Sequence, residues 1–169
     1  KEEDDPTYIP YDYYENTIKR SIRFKKGGFL SKEEYEKGKD MYQAYVSALA
    51  FMPGILSIFY GDEAGVCGGV DPDNRRTYPW GKEDPVLMQY YRKLCDLRKQ
   101  ETVLRTGDLE FIEGGNGRIG FKRENIYVYA NQSETAWELE QGSVLFSREL
   151  TQTKEKVVLN PGGYALIKK

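Results

Sequence analysis

The chain has 169 residues, enough to bury the core of one ordinary domain or two small ones. An aromatic content of 14% excludes a disordered tail, and 25 Lys and Arg against 27 Asp and Glu give a net charge of −2, so nothing in the charge favours nucleic acid or an anionic membrane. Histidine is absent and cysteine is limited to Cys67 and Cys95, which excludes Ser–His and Cys–His nucleophiles, His-ligated metal sites and a thiolate knuckle.

Residues 1–30 read as an irregular lead. KEEDDPTYIPYDYY has two prolines, an acidic cluster and no helical stripe, and FKKGG closes it as a loop. Its tyrosines Tyr8, Tyr11, Tyr13 and Tyr14 suit an amphipathic anchor against other protein. Lys1 is not an initiator Met, so the expectation is a chain that begins inside something larger or has lost a targeting segment.

A helix is predicted from Ser31. Ser31 and Glu34 form an S-x-x-E capping box, and Tyr35, Tyr42, Tyr45, Leu49 and Met52, with Met41 and Val46, keep helical spacing on one face. Pro53-Gly54 ends it. The run Ile55-Leu56-Ser57-Ile58-Phe59-Tyr60 is apolar without alternation, the pattern of a parallel strand buried on both faces. A Gly- and Asp-rich loop then runs from Gly61 to Gly81. A second helix is predicted to start with Asp84 as N-cap and Pro85 in first position, with Leu87, Tyr90, Tyr91, Leu94 and Leu97 as its buried stripe. Helix, buried strand, long loop and helix are the tail of an α/β layered or barrel fold.

Beyond a joint near residues 101–106 the period changes. Short β-rich runs centre near Phe111, Phe121, Val128, Trp137, Leu145, Val158 and Leu166, with turn clusters at Glu113–Gly117 and Asn160–Gly163. This predicts an antiparallel sandwich, with Trp137 in its core or presenting its ring at the surface. Cys67 and Cys95 fit a single disulfide or two buried free thiols, and free thiols are the reading taken.

The segment PGILSIFYGDEAG (residues 53–65), followed by DPDNRRTYPWG (71–81), resembles the last barrel strand and its loop in the α-amylase family of glycoside hydrolases, in its neopullulanase and cyclomaltodextrinase branch. Leu56 and Phe59 stand where relatives often carry Pro and Tyr. The fold this implies is α+β: a remnant of a (β/α)8 barrel in residues 31–105, with its last strand and flanking helices, then an antiparallel β-sandwich domain in residues 106–169. The family is retaining, with a carboxylate nucleophile, a Glu acid/base and a third carboxylate in a His-Asp pair. The chain has no Gly-x-Arg-x-Asp and no His, so all three are expected upstream of Lys1 and no catalytic residue is expected here.

The resemblance implies substrate contacts for Asp71 and Arg75, and Tyr78 and Trp80 are candidates for them by their aromatic chemistry. A carboxylate and a planar guanidinium suit neutral sugar hydroxyls, and aromatic faces suit sugar rings. An Asp71–Arg75 pair that pins the loop, and aromatics that pack it onto its scaffold, are the alternatives. Arg76 reads as a solvated or structural partner. Asp62 and Glu63 either shape the cleft floor or cap local backbone N–H groups. Being adjacent in an extended segment, they face opposite ways and cannot make the pair of acids that retaining hydrolysis needs.

No cofactor or metal is implied. The partners implied are an α-glucan or malto-oligosaccharide and the N-terminal part of the barrel, without nucleic acid or membrane. Self-association through residues 55–60 is a further expectation, as is helices folding back on the β domain. A stand-alone, non-catalytic carbohydrate-binding or interaction module, and a proteolytic product, are the rival readings. The few, unpaired-looking thiols lean to the cytoplasm.

Overall fold

A computed structural model describes residues 31–68 and 76–169. They fall into two compact units: residues 31–35, 58–68 and 76–88 make one, and residues 36–57 with 89–169 make the other. The irregular lead expected over residues 1–30 lies outside the described residues.

Helix α1 (Lys32–Phe51) starts as its capping box dictates. Ser31 N donates to Glu34 Oε2 at 2.9 Å, and Glu34 N donates to Ser31 Oγ at 3.2 Å. Its buried face matches the expected stripe in part: Tyr42, Val46 and Met52 pack against the core half-buried. Gln43, Ala44, Ser47, Ala48, Ala50 and Phe51 are buried, whereas Met41, Tyr45 and Leu49 are exposed, Leu49 by 62%. Small residues let the helix approach its neighbours closely, and that outweighs the larger apolar side chains on the opposite face. Helix α2 (Pro85–Gln100) buries Leu87, Tyr90, Tyr91, Leu94 and Leu97, as its periodicity predicts. A one-turn helix, α3 (Val103–Thr106), follows.

Six strands follow: β1 (Leu109–Gly115), β2 (Arg118–Arg123), β3 (Ile126–Asn131), β4 (Trp137–Leu139), β5 (Ser143–Gln152) and β6 (Val157–Lys168). They form one antiparallel sheet in the order β1-β2-β3-β6-β4, with β5 also paired to β6. The two strands expected around Val158 and Leu166 are one strand. Its Asn160–Gly163 stretch is an excursion: β5 pairs Arg148 with Tyr164 and Leu150 with Leu159, so a single residue of β5, Glu149, faces four of β6. Glu149 (φ 52°) and Gly162 (φ 77°) take left-handed backbone there, and the sheet bends.

Alternation gives the sheet two apolar faces. Phe121, Ile126, Val128, Ala130, Tyr164 and Leu166 pack with Ala44, Ala48, Phe51, Tyr90, Tyr91 and Leu94 of the helices. Tyr129, Leu139, Val157, Leu159, Ala165 and Ile167 form the second cluster, with Trp137 against it. Trp137 is partly buried against this cluster, its ring edge-on to Tyr129 at 5.2 Å. The helices of this unit do fold back on the sheet.

The helix–sheet seam is also polar. Tyr90 Oη donates to Gln43 O at 2.6 Å and bonds Ser47 Oγ at 2.9 Å. Arg148 reaches Asp40 and Gln43, and Lys168 Nζ meets Glu101 Oε2 at 2.8 Å. Burial pushes the phenols of Tyr129 and Tyr164 up to about 12, and raises Tyr90 further against the opposing effect of its Ser47 bond.

Two arginines close the end of α1. Arg123, 1% exposed, donates from Nε and Nη2 to Gly107 O (2.9 and 2.6 Å) and from Nη1 to Phe51 O (2.8 Å) and Leu104 O (3.1 Å). Arg98 donates to Ala50 O, to Met52 O (3.2 Å) and to Gly54 O (2.6 Å). The carbonyls that helix geometry leaves unpaired are satisfied by guanidinium forks.

Residues 55–60 are not a strand. The run is irregular, with Ile55 98% exposed and Phe59 65%. A parallel strand exists through ladder bonds to neighbours, and no strand among the described residues pairs with it.

Candidate functional site

The unit that holds residues 58–88 is built around a loop closed at its base. Asp62–Ala64 form a short 3-10 turn between Gly61 (φ 88°) and Gly65 (φ 75°), both in left-handed conformation. Asp84 N donates to Ala64 O at 3.0 Å, which brings the two ends of the loop together.

Asp84 uses both carboxylate oxygens. Oδ1 accepts from Val86 N (2.8 Å) and Leu87 N (3.1 Å), the expected N-cap of α2, and Oδ2 accepts from Tyr35 Oη at 2.8 Å. Gly65 lies directly beneath the Tyr35 hydroxyl. A Cβ there would overlap that oxygen and stand 3.1 Å from Asp84 Cβ and 3.3 Å from Leu87 Cδ1. Turn, tyrosine, carboxylate and helix start interlock.

Of the residues singled out from the sequence, Asp71 and Arg75 lie outside the described residues. Glu63 turns back on its own loop, its Oε2 accepting from Gly61 N at 3.1 Å. Asp62 N donates to Phe59 O at 3.1 Å. Arg76 is half-buried.

Tyr78 and Trp80 come together, with ring centroids 4.5 Å apart and planes inclined by 50°. Tyr78 is half-buried with Oη 3.8 Å from Met88 Sδ on the first turn of α2, whereas Trp80 is 82% exposed. One aromatic backs the other, and the outer one offers a large, bare apolar face. Cys67 and Cys95 are not joined by a disulfide, and each is half-buried.

Sequence reasoning missed the Tyr35–Asp84 bond. Tyr35 was assigned to the core stripe of its helix, and no local pattern links two residues 49 apart in the chain.

No family model matches the chain. An amylopullulanase of Thermoanaerobacter thermohydrosulfuricus is 50% identical over 74 residues, 44% of this chain and 5% of that protein. A cyclomaltodextrinase of Thermoanaerobacter pseudethanolicus is 30% identical over 127 residues, 68% of this chain and 22% of that protein. The chain thus spans a minor part of the relatives it matches.

Among solved structures, a debranching enzyme from Nostoc punctiforme superposes with a TM-score of 0.63 at 21% identity, over 76% of this chain and 31% of the other. An Anoxybacillus α-amylase gives 0.61 at 29% identity, over 75% and 32%. The first likeness is one of fold alone, and the second adds sequence. The chain belongs to the α-amylase family of glycoside hydrolases.

Proposed function

We propose that this chain supplies part of the sugar-binding loop and the accessory β domain of a retaining glycoside hydrolase acting on α-glucans. In this reading residues 31–105 are the end of the catalytic barrel and residues 106–169 the C-terminal β domain. The observation that carries it is Trp80, a bare indole face backed by Tyr78 on a loop pinned at its base. A ring of that kind covers the C–H face of a glucose unit, while Asp71 and Arg75 of the same loop are offered for its hydroxyls. The names of the related proteins, amylopullulanase and cyclomaltodextrinase, support the substrate class.

Retaining hydrolysis needs two carboxyl groups about 5–5.5 Å apart across the scissile bond. Here Glu63 is engaged by Gly61 N and is next to Asp62 in sequence, so this chain is assigned a binding role and no chemistry of its own. The acids belong to the N-terminal part of the barrel, which on this reading also covers the exposed run 55–60. In the isolated chain the same run pairs with a second copy. Two cysteines that are not joined to each other favour a cytoplasmic location in this reading.

Titration with maltoheptaose tests the reading, following the fluorescence of Trp80. A saturable change with a millimolar dissociation constant, abolished in Trp80→Ala, is the expected result. No saturable response, or an unaltered one in Trp80→Ala, removes it. The isolated chain is expected to leave soluble starch, cyclodextrin and pullulan intact, and turnover above a boiled control contradicts the assignment of its acids.

A further inference from the structure

Trp80 and Tyr78 sit on a loop whose geometry is set at its stem. Three contacts converge there: Asp84 N on Ala64 O, Tyr35 Oη on Asp84 Oδ2, and Gly65 under the Tyr35 hydroxyl with no space for a side chain. The bond from phenol to carboxylate, 2.8 Å long, has a charged acceptor, which strengthens it. Asp84 also starts α2, and Met88 N donates to Asp84 O at 3.0 Å, which places the Met88 sulfur that Tyr78 touches. From Tyr35 to Trp80 there is a continuous chain of contacts: Tyr35, Asp84, Met88, Tyr78, Trp80.

We propose that Tyr35 is a positioning residue for sugar binding, acting through Asp84 to hold the Tyr78–Trp80 pair in the arrangement that meets a glucan ring. The inference rests on the reading of Trp80 as a sugar platform. Its physical basis is preorganisation: a loop fixed before binding loses less freedom when the ligand arrives. Tyr35 itself touches no sugar.

The chain has two tryptophans, so the experiment uses Trp137→Phe as background and leaves Trp80 as the single indole. Tyr35→Phe removes only the hydroxyl. Asp84→Ser keeps a capping oxygen for α2 but is too short to reach Tyr35. Each is compared with the background, and with the double variant, by Trp80 anisotropy without sugar, by maltoheptaose titration, and by thermal unfolding.

In both single variants the expected results are lower Trp80 anisotropy and maltoheptaose affinity weaker by about tenfold. The double variant should be no worse than either single one, and the melting temperature should move by no more than about 4 °C. Unchanged Trp80 anisotropy and affinity in Tyr35→Phe overturn the inference. So do additive losses in the double variant, because two independent effects would then be at work. If the background shows no saturable maltoheptaose response, the sugar reading fails alone, and the anisotropy still decides whether Tyr35 positions Trp80.

Discussion

Replacing Arg123 by methionine tests what holds α1 to the sheet. The guanidinium is 1% exposed and makes four hydrogen bonds to the carbonyls of Phe51, Leu104 and Gly107. Hydrogen bonds from a charged donor contribute about 1.5–3 kcal/mol each, so the gross stabilisation is on the order of 6–12 kcal/mol. Against it stands the cost of holding a cation out of water, several kcal/mol. That cost is visible in the depressed pKa of Arg123, lowered first by burial and then by the charge of Arg98.

Methionine fills similar volume, removes the charge and strands three carbonyls. The net loss expected is about 3 kcal/mol, which with a urea slope of about 2 kcal/mol/M lowers the unfolding midpoint by roughly 1.5 M. Lysine, a single ammonium unable to span the fork, should recover only part of this. Urea unfolding followed by far-UV circular dichroism measures it. A loss under about 1 kcal/mol for Arg123→Met would refute the reasoning, because the burial cost would then cancel the bonds.

The ion pair of Arg148 with Asp40 is partly solvated, and a double-mutant cycle should give a coupling under about 1 kcal/mol; a value near that of Arg123 would be contrary. Leu94, fully buried in the helix–sheet core, should lose about 2–5 kcal/mol on truncation to alanine, measured by the same urea curves. Tyr90, Tyr129 and Tyr164 all have pKa values raised above the unfolded value of 10, Tyr129 and Tyr164 to about 12. The neutral phenols favour the folded state, so stability should be constant below pH 10 and fall as pH rises from 10 through 12. Absorbance at 295 nm should show these phenols ionising together with unfolding, and complete titration near pH 10 in a folded chain would count against it. Sedimentation of the isolated chain should show concentration-dependent dimers that Ile55→Lys with Phe59→Lys abolishes; a monodisperse monomer at all concentrations removes residues 55–60 as a pairing surface.

What could be read from the sequence was local. The capping box at Ser31, the Asp84 N-cap and the α2 stripe each depend on residues within a few positions of one another, and all three are in place. The buried face of α1 was legible in Tyr42, Val46 and Met52 but not in full, because Tyr45 and Leu49 outweigh Ala44 and Ala48 in any apolar count, although alanine is what allows close packing. Arg123 gave no signal, since charged residues are mostly exposed and the carbonyls it satisfies lie up to 72 positions away. The kink in β6 read as a turn because Asn-Pro-Gly-Gly looks the same in either setting. In the loop, Tyr78 and Trp80 were found from their motif, but the pair that fixes its stem joins residues 49 apart.

The end of α1 marks where the internal cohesion of this unit stops. Up to Gly54 the carbonyls of Ala50, Phe51, Met52 and Gly54 are taken by Arg98 and Arg123, so the backbone is anchored by groups within the unit. At the next residue the exposure reaches 98%, and the apolar run that follows contributes no buried area comparable to the core. A fully buried Ile or Phe contributes about 1.5–3 kcal/mol, and Ile55 and Phe59 forgo most of it. Any surface that covers them can recover that free energy without disturbing the anchored carbonyls. Polar substitution of Ile55 and Phe59 should therefore leave the unfolding free energy within about 0.5 kcal/mol and change association alone. The two properties separate because one is held by hydrogen bonds inside the unit and the other waits on contact from outside it.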